Sequence, residues 1–184
     1  MLSMMDDIEP IKQRVREAAI GDPPDPWTPM GLAAITGITE VGFAEDSELL
    51  LVLSGHSREI VDCATGTIVA RDTSTEHRSS WYGPHDLIGI GFGPLNGRRI
   101  ALAGPSGGGL PAFTRDGWGA VRLPIDWPDE FLVLMAPYHS IYQPAAPFWK
   151  LGKAREPVAW GFSFTGNSLI AATAEGVSVF IRNR

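Results

Sequence analysis

One segment of the chain matches the spacing of a catalytic motif. Residues 104–108 read Gly-Pro-Ser-Gly-Gly, the Gly-x-Ser-x-Gly pattern of a nucleophile elbow, and they follow an apolar run. An elbow requires a helix directly after it, which presents the serine hydroxyl and supplies a backbone donor to the oxyanion. The Gly-Leu-Pro at residues 109–111 is a poor helix start. The segment therefore predicts a glycine-rich turn, and hydrolysis through Ser106 is retained only as a third hypothesis.

Histidine and cysteine are the other residue types whose spacing can indicate chemistry. The histidines are His56, His77, His85 and His139, and none stands at metal-ligand spacing from another or from Cys63. We therefore predict no metal site, no cofactor and no enzymatic activity. A single cysteine also excludes an intramolecular disulfide, and we expect it to be a small buried side chain.

Two aromatic loops and one acidic turn remain as candidates for binding. Residues 80–84 read Ser-Trp-Tyr-Gly-Pro and lead into His-Asp, while residues 138–149 contain four aromatic residues spaced by prolines. Tryptophan and tyrosine are frequent at the energetic centres of interfaces. The alternatives are that the rings fold back onto the core and that the acidic turn is only solvated. The predicted interface consists of Trp81, Tyr82, His85, Asp86, Tyr138, Tyr142, Phe148, Trp149, Glu45, Asp46 and Glu48.

The composition is that of a globular protein, with 44% hydrophobic and 20% charged residues. The net charge is −6, and residues 1–86 carry 15 acids against 6 bases. Because phosphate binding needs a basic face, we expect no nucleic-acid partner. An acidic first half suits a basic protein partner or serves solubility. The chain shows no run of about twenty apolar residues and no signal-peptide pattern, so we expect a cytoplasmic protein without a membrane partner.

The elements that position these residues begin with a helix. Apolar residues three and four apart predict an amphipathic helix from Met5 to Ile20, capped by Asp6 or Asp7. Four prolines between residues 23 and 29 predict an extended linker. Residues 1–34 are thus assigned to a helix and linker. Residues 35–184 are assigned to a single β domain with an aromatic and proline-rich insertion at about residues 127–157, and we expect the helix to brace this domain.

Three segments of the β domain share one pattern. Each is a strand ending in Gly-Phe, then a polar turn, then an apolar strand, and the three copies begin at Val41, Ile90 and Trp160. Thr-Gly, Asn-Gly and Glu-Gly dipeptides supply the turns that tight hairpins need. The pattern predicts a mainly β fold built from antiparallel meanders.

The unit resembles a blade of the WD40 and related β-propeller families. Residues 159–184 match best and residues 40–72 next, while the middle copy has three glycines at residues 107–109 where a hairpin is expected. About 150 residues follow the linker, enough for three blades, whereas closed propellers have four to eight. The expected architecture is therefore a sandwich, an open barrel or an incomplete propeller. A second copy of the chain could complete this architecture, so we retain a homo-oligomer as a hypothesis.

These observations predict a non-enzymatic protein-binding domain. In general character the chain is similar to bacterial immunity proteins, which neutralise a toxin by occluding it. The alternative is a small-molecule or carbohydrate-binding protein that uses the aromatic loops as its platform.

Overall fold

The computed structural model describes residues 8–74 and 78–182. In this part of the chain the fold is mainly β, with four antiparallel sheets and no closed barrel, and the predicted fold class is confirmed. No helix among the described residues is long and apolar enough to cross a membrane.

Most elements follow one another with short connections; the longest exceptions are the irregular stretch between β8 and β9 and the loop between β10 and β11. The helices are α1 (Glu9–Glu17) and α2 (Arg78–Trp81). A 3-10 turn spans Gly93–Leu95. The strands are β1 (Trp27–Ala34), β2 (Ile38–Phe43), β3 (Leu49–Ser54), β4 (Arg58–Asp62), β5 (Thr67–Asp72), β6 (Tyr82–Gly83), β7 (Ile88–Ile90), β8 (Arg99–Ala101), β9 (Gly119–Asp126), β10 (Asp129–Met135), β11 (Phe148–Arg155), β12 (Ala159–Phe162), β13 (Ser168–Thr173) and β14 (Gly176–Arg182).

Each sheet packs face to face on the next. Sheet I has the order β1-β14-β13-β12, sheet II β2-β3-β4-β5, sheet III β6-β7-β8 and sheet IV β11-β10-β9. Three apolar clusters join sheet I to sheet II, sheet II to sheet III, and sheet IV to sheet I. Among the described residues no such cluster joins sheet III to sheet IV. The four described sheets thus form a series rather than a closed barrel.

The irregular stretch at residues 103–113, here called the central segment, lies across the edge strands of three sheets. Ala103 and Val41 of β2 exchange two backbone hydrogen bonds of 2.7 and 2.9 Å. Pro111 accepts a hydrogen bond from Phe162 of β12, and Ala112 accepts one from Ala120 of β9, both at 2.8 Å. The central segment therefore satisfies backbone groups on strand edges that would otherwise have no partner.

Helix α1 covers the face of sheet IV that is turned away from sheet I. Val15 is fully buried against Phe131, Val133 and Met135 of β10. The Lys150 ammonium donates to the carbonyl oxygens of Val15 (2.8 Å) and Arg16 (3.3 Å) in the last turn of α1. Burial lowers the pKa of Lys150. The helix is thus attached to the β domain by both its apolar face and its C-terminal carbonyl groups.

The helix is shorter than predicted. It begins at Glu9, with Pro10 in its first turn, and the predicted caps Asp6 and Asp7 lie outside the described residues. It ends at Glu17 because Ala18 has an extended backbone, and Ile20 then bridges to Lys150 of β11.

Three long strands, β1, β9 and β11, lie where the sequence predicted none. Residues 27–34, which we assigned to the linker, form β1 and pair with β14. Pro29 is tolerated because β1 is an edge strand with a bulge between Pro29 and Gly31. In the predicted insertion, β11 joins β10, and its Lys, Gly and Ala residues obscured the strand signal.

The glycine of the Gly-Phe pattern allows neighbouring sheets to approach closely. A Cβ added at Gly42 would lie 2.2 Å from the carbonyl oxygen of Ala101, in sheet III. The following Phe43 is buried in the cluster between sheets I and II, and Phe162 of the third copy is buried between sheets I and IV. The repeated pair therefore combines close backbone contact with a large apolar side chain.

We predict that Gly42→Ala lowers the free energy of unfolding by about 1–3 kcal/mol, because a methyl group at this position has no space. Gly55→Ala is the matched control, since nothing lies within 4 Å of the Cβ position at Gly55. Chemical denaturation of both variants measures the difference. Equal stability of the two variants would contradict the close approach at Gly42.

Candidate functional site

The β10–β11 loop, residues 136–147, is held from its inner side by helix α1. The Arg14 guanidinium donates to the carbonyl oxygens of Gln143 (2.9 Å) and Ala146 (3.0 Å). Ile141 is buried in the cluster that contains Val15. Ala136 donates its N–H to the Pro147 carbonyl at 3.2 Å and so closes the base of the loop. The loop is therefore ordered by contacts that do not involve its outer surface.

Two tyrosines project from the outer side of this loop. Tyr138 is 80% exposed and Tyr142 is 67% exposed. Tyr138 has φ +61°, a left-handed conformation that bulky residues rarely adopt. Backbone strain of this kind costs on the order of 1–3 kcal/mol and concentrates at functional positions.

A third exposed ring, Phe113, directly precedes the Thr114–Gly117 turn to which Tyr138 is hydrogen-bonded. The Tyr138 N–H donates to the Gly117 carbonyl at 3.0 Å, and its ring lies against Gly117. Phe113, which is 63% exposed, lies against Gly119, two residues further along the chain. We call Phe113, Tyr138 and Tyr142 the aromatic surface. Phe113 was not among the predicted interface residues, although a lone phenylalanine in a Gly/Pro-rich segment was a signal for it.

An ion pair fixes the turn beneath Tyr138. The Arg182 guanidinium donates to the Asp116 carboxylate and lies 5.2 Å from the centre of the Trp27 ring. The hydrogen bond from Arg182 lowers the pKa of Asp116. Arg182 belongs to β14 and Trp27 to β1, so sheet I supports the aromatic surface.

The other rings of the second loop face inward. Phe148 packs in the cluster under α1, with the Arg14 guanidinium 5.0 Å from its centre. Trp149 packs in the cluster between sheets I and IV, 6.1 Å from the Trp118 ring. Both are half-buried and contribute little to the outer surface.

The first aromatic loop also contains both residues that face the core and residues that face solvent. Trp81 is only 6% exposed and packs in the cluster between sheets II and III, so it lies in the core. The Tyr82 hydroxyl donates to the buried Glu40 carboxylate at 2.9 Å. His85 and Asp86 are exposed, and Asp86 lies 3.5 Å from the Arg99 guanidinium. His77 lies outside the described residues.

The acidic turn joins β2 to β3 and lies away from the aromatic surface in sequence and sheet. Glu45 and Asp46 are exposed. Arg98 pairs with Asp46 at 2.7 Å, and this contact lowers the pKa of Asp46. Glu48 is half-buried and accepts a hydrogen bond from the Thr165 hydroxyl. Two of the three carboxylates are thus engaged within the protein.

The serine motif forms a turn of the central segment. Gly104 and Gly107 exchange two backbone hydrogen bonds of 2.9 and 3.0 Å, and an irregular chain rather than a helix follows as far as β9. The Ser106 hydroxyl lies 3.5 Å from the Glu40 carboxylate. A Cβ at Gly104 would lie 2.4 Å from the Thr39 carbonyl oxygen, so the glycine serves close packing on β2. The strand–turn–helix geometry of an elbow is not formed here.

Cys63 and the described His, Asp and Glu residues offer no further chemistry at the aromatic surface. Cys63 is buried, and burial raises its pKa. No group of three or more His, Cys, Asp or Glu residues in the described ranges is placed to hold a metal ion.

We predict that Arg14→Met speeds amide exchange in the β10–β11 loop by up to about thirtyfold, because two hydrogen bonds of order 1 kcal/mol each are lost. Hydrogen exchange read at Gln143 and Ala146, whose N–H groups bond within the loop, measures it. Lys12→Met, on the same helix, is the control. An unchanged exchange rate in Arg14→Met would show that α1 does not order the loop.

We predict that Asp116→Asn lowers the free energy of unfolding near neutral pH by at most about 1 kcal/mol. Because the folded pKa of Asp116 lies below the ordinary 3.8, its contribution is complete above that value and disappears as the pH falls through the folded pKa. Denaturation from neutral to strongly acidic pH should therefore show wild type and variant converging. Asp22→Asn, at another exposed aspartate, is the control. A difference independent of pH would refute the ion-pair explanation.

No model of a protein family matches the chain, and no curated protein matches it in a sequence search. The interpretation of the aromatic surface therefore depends on its own geometry.

Proposed function

We propose that this chain is a non-enzymatic protein-binding domain and that the aromatic surface contacts the partner. The observation that carries the proposal is Tyr138, an aromatic side chain that is 80% exposed on a left-handed backbone. Because the Tyr138 ring is mostly exposed, its burial contributes little free energy to folding. The left-handed backbone at Tyr138 costs free energy. A residue with both costs is best explained by a contact made outside the chain.

The way the loop is held supports this proposal. Ordering a side chain at an interface costs about 0.5–1.5 kcal/mol, so a rigid support reduces the loss on binding. Arg14, Ile141 and Gly117 hold the loop in the free protein. Tyrosine also has few rotatable bonds for its contact area.

The finer proposal concerns the partner and the mode of action. A net charge of −6 favours a basic protein through electrostatic steering. We propose occlusion of that partner in the cytoplasm, in the manner of a bacterial immunity protein. A domain of this kind needs no chemistry of its own, only a rigid surface.

The proposal is tested with the double variant Tyr138→Ala/Tyr142→Ala. We expect it to lose at least about tenfold in affinity for the partner, because two interface tyrosines each contribute 1 kcal/mol or more. Quantitative affinity capture from the native host, followed by titration with the purified partner, measures this. The control is Phe164→Ala, at a partly exposed phenylalanine on the β12–β13 turn.

Two outcomes would contradict the proposal. One is that no stoichiometric protein is captured and light scattering shows no second copy on the surface. The other is that the double variant binds as wild type does. In either case a thermal-shift screen of sugars and nucleotides tests the small-molecule alternative, since a ligand stabilises the fold that binds it.

A single substitution of Tyr138 distinguishes its effect on backbone strain from its effect on partner binding. We predict that Tyr138→Gly leaves the melting temperature near that of wild type, because relief of the left-handed backbone offsets the lost ring contact. The same variant should bind the partner more weakly. A large loss of stability would show instead that the Tyr138 ring is structural.

A further inference from the structure

A buried carboxylate with one unpaired oxygen lies at the junction of sheets I and II, far in sequence from the aromatic surface. Glu59 of β4 pairs in register with Val52 of β3 and Arg71 of β5. Its side chain is 3% exposed. Because an ionised carboxylate loses much hydration free energy on burial, its oxygens should be fully partnered.

Only one of the two oxygens is partnered. Oε1 accepts a hydrogen bond from the Ser57 hydroxyl at 2.7 Å and lies 3.2 Å from Nε of Arg71. Oε2 is buried and accepts no hydrogen bond from any described residue. A buried acceptor in this state is open to a donor from a water, an ion or a ligand.

A cleft of about 350 Å³ adjoins Glu59. Its walls come from the β1–β2 connection (Thr36), the β3–β4 turn (His56 and Ser57), Arg71 of β5 and Thr73 just after that strand. This volume is at the lower end of the range for small-molecule sites, about 300–1,000 Å³, and it suits a compact ligand. The Arg71 side chain is 52% exposed, so its guanidinium edge is open to solvent.

The two charged groups select the ligand class. Oε2 of Glu59 needs an N–H or O–H donor. Nε of Arg71 faces Glu59, and a guanidinium has two further nitrogens that can hold an anion. An acceptor and a cationic donor side by side complement a molecule that carries an ammonium and a carboxylate on neighbouring atoms.

We propose that this cleft binds a small zwitterion of the α-amino-acid class, with its ammonium on Oε2 of Glu59 and its carboxylate on Arg71. Thr36 and Thr73 also line the cleft. The site is independent of the proposed protein-binding function, because none of its residues belongs to the aromatic surface.

The test is a thermal-shift and calorimetric titration of the full chain at constant ionic strength. The probes are the free amino acids, glycine first, together with ethylamine for the ammonium alone and acetate for the carboxylate alone. We expect at least one amino acid to stabilise the protein and both half-probes to have a much smaller effect. Glu59→Gln, which keeps the shape and removes the charge, should weaken binding at least about tenfold.

A second variant keeps the test valid if Glu59→Gln fails to fold. Thr73→Trp places a large ring in the cleft from an exposed position and leaves Glu59 intact, so it should abolish binding without unfolding the protein. Glu156→Gln, at an exposed glutamate outside the cleft, is the control and should bind as wild type does.

Three results would overturn the proposal. The first is that no amino acid binds. The second is that ethylamine or acetate alone binds as well as the amino acid, which would refute the zwitterion. The third is that Thr73→Trp binds as tightly as wild type, which would place the ligand elsewhere.

Discussion

The hydrogen bonds between the central segment and the edge strands are the interactions on which the fold depends. Sheets that pack face to face leave the backbone of each edge strand without a partner, and such edges promote aggregation. Ala103, Pro111 and Ala112 satisfy β2, β12 and β9 in turn. The central segment is rich in glycine because it lies close to the backbone of other segments. Side chains at Gly104 or Gly108 would collide with that backbone. A motif that resembles catalytic machinery is therefore explained by packing.

Much of the fold could be predicted because its signals are local. The apolar and polar alternation of β14, the turn dipeptides and the three Gly-Phe units depend on residues close in sequence. The missed strands depend on distant partners. β1 contains Pro29 and Gly31 and is a strand only because β14 accepts it as an edge. β11, with Lys150, Gly152 and Lys153, is a strand because β10 is strongly apolar.

The candidate sites were less predictable, since the sequence does not indicate which way a side chain points. Trp81 and Tyr82 are adjacent, yet one lies in the core and the other reaches Glu40. Tyr142 follows the buried Ile141, and the pair is oriented by helix α1, more than a hundred residues earlier in the chain. Glu59 could not be identified from the sequence, because the residues of β4 are those of an ordinary strand. Glu59 becomes buried only where sheets I and II meet.

The pairing of β1 with β14 has a consequence for biosynthesis. Sheet I combines a strand near the start of the described chain with one near its end, about 140 residues later. At ribosomal rates of about 5–20 residues per second, β1 waits on the order of ten seconds for its neighbour to be translated. During that interval Trp27 lacks Phe162 and Phe180, two of the residues against which it packs. Sheet I is therefore completed only after β14 has been translated.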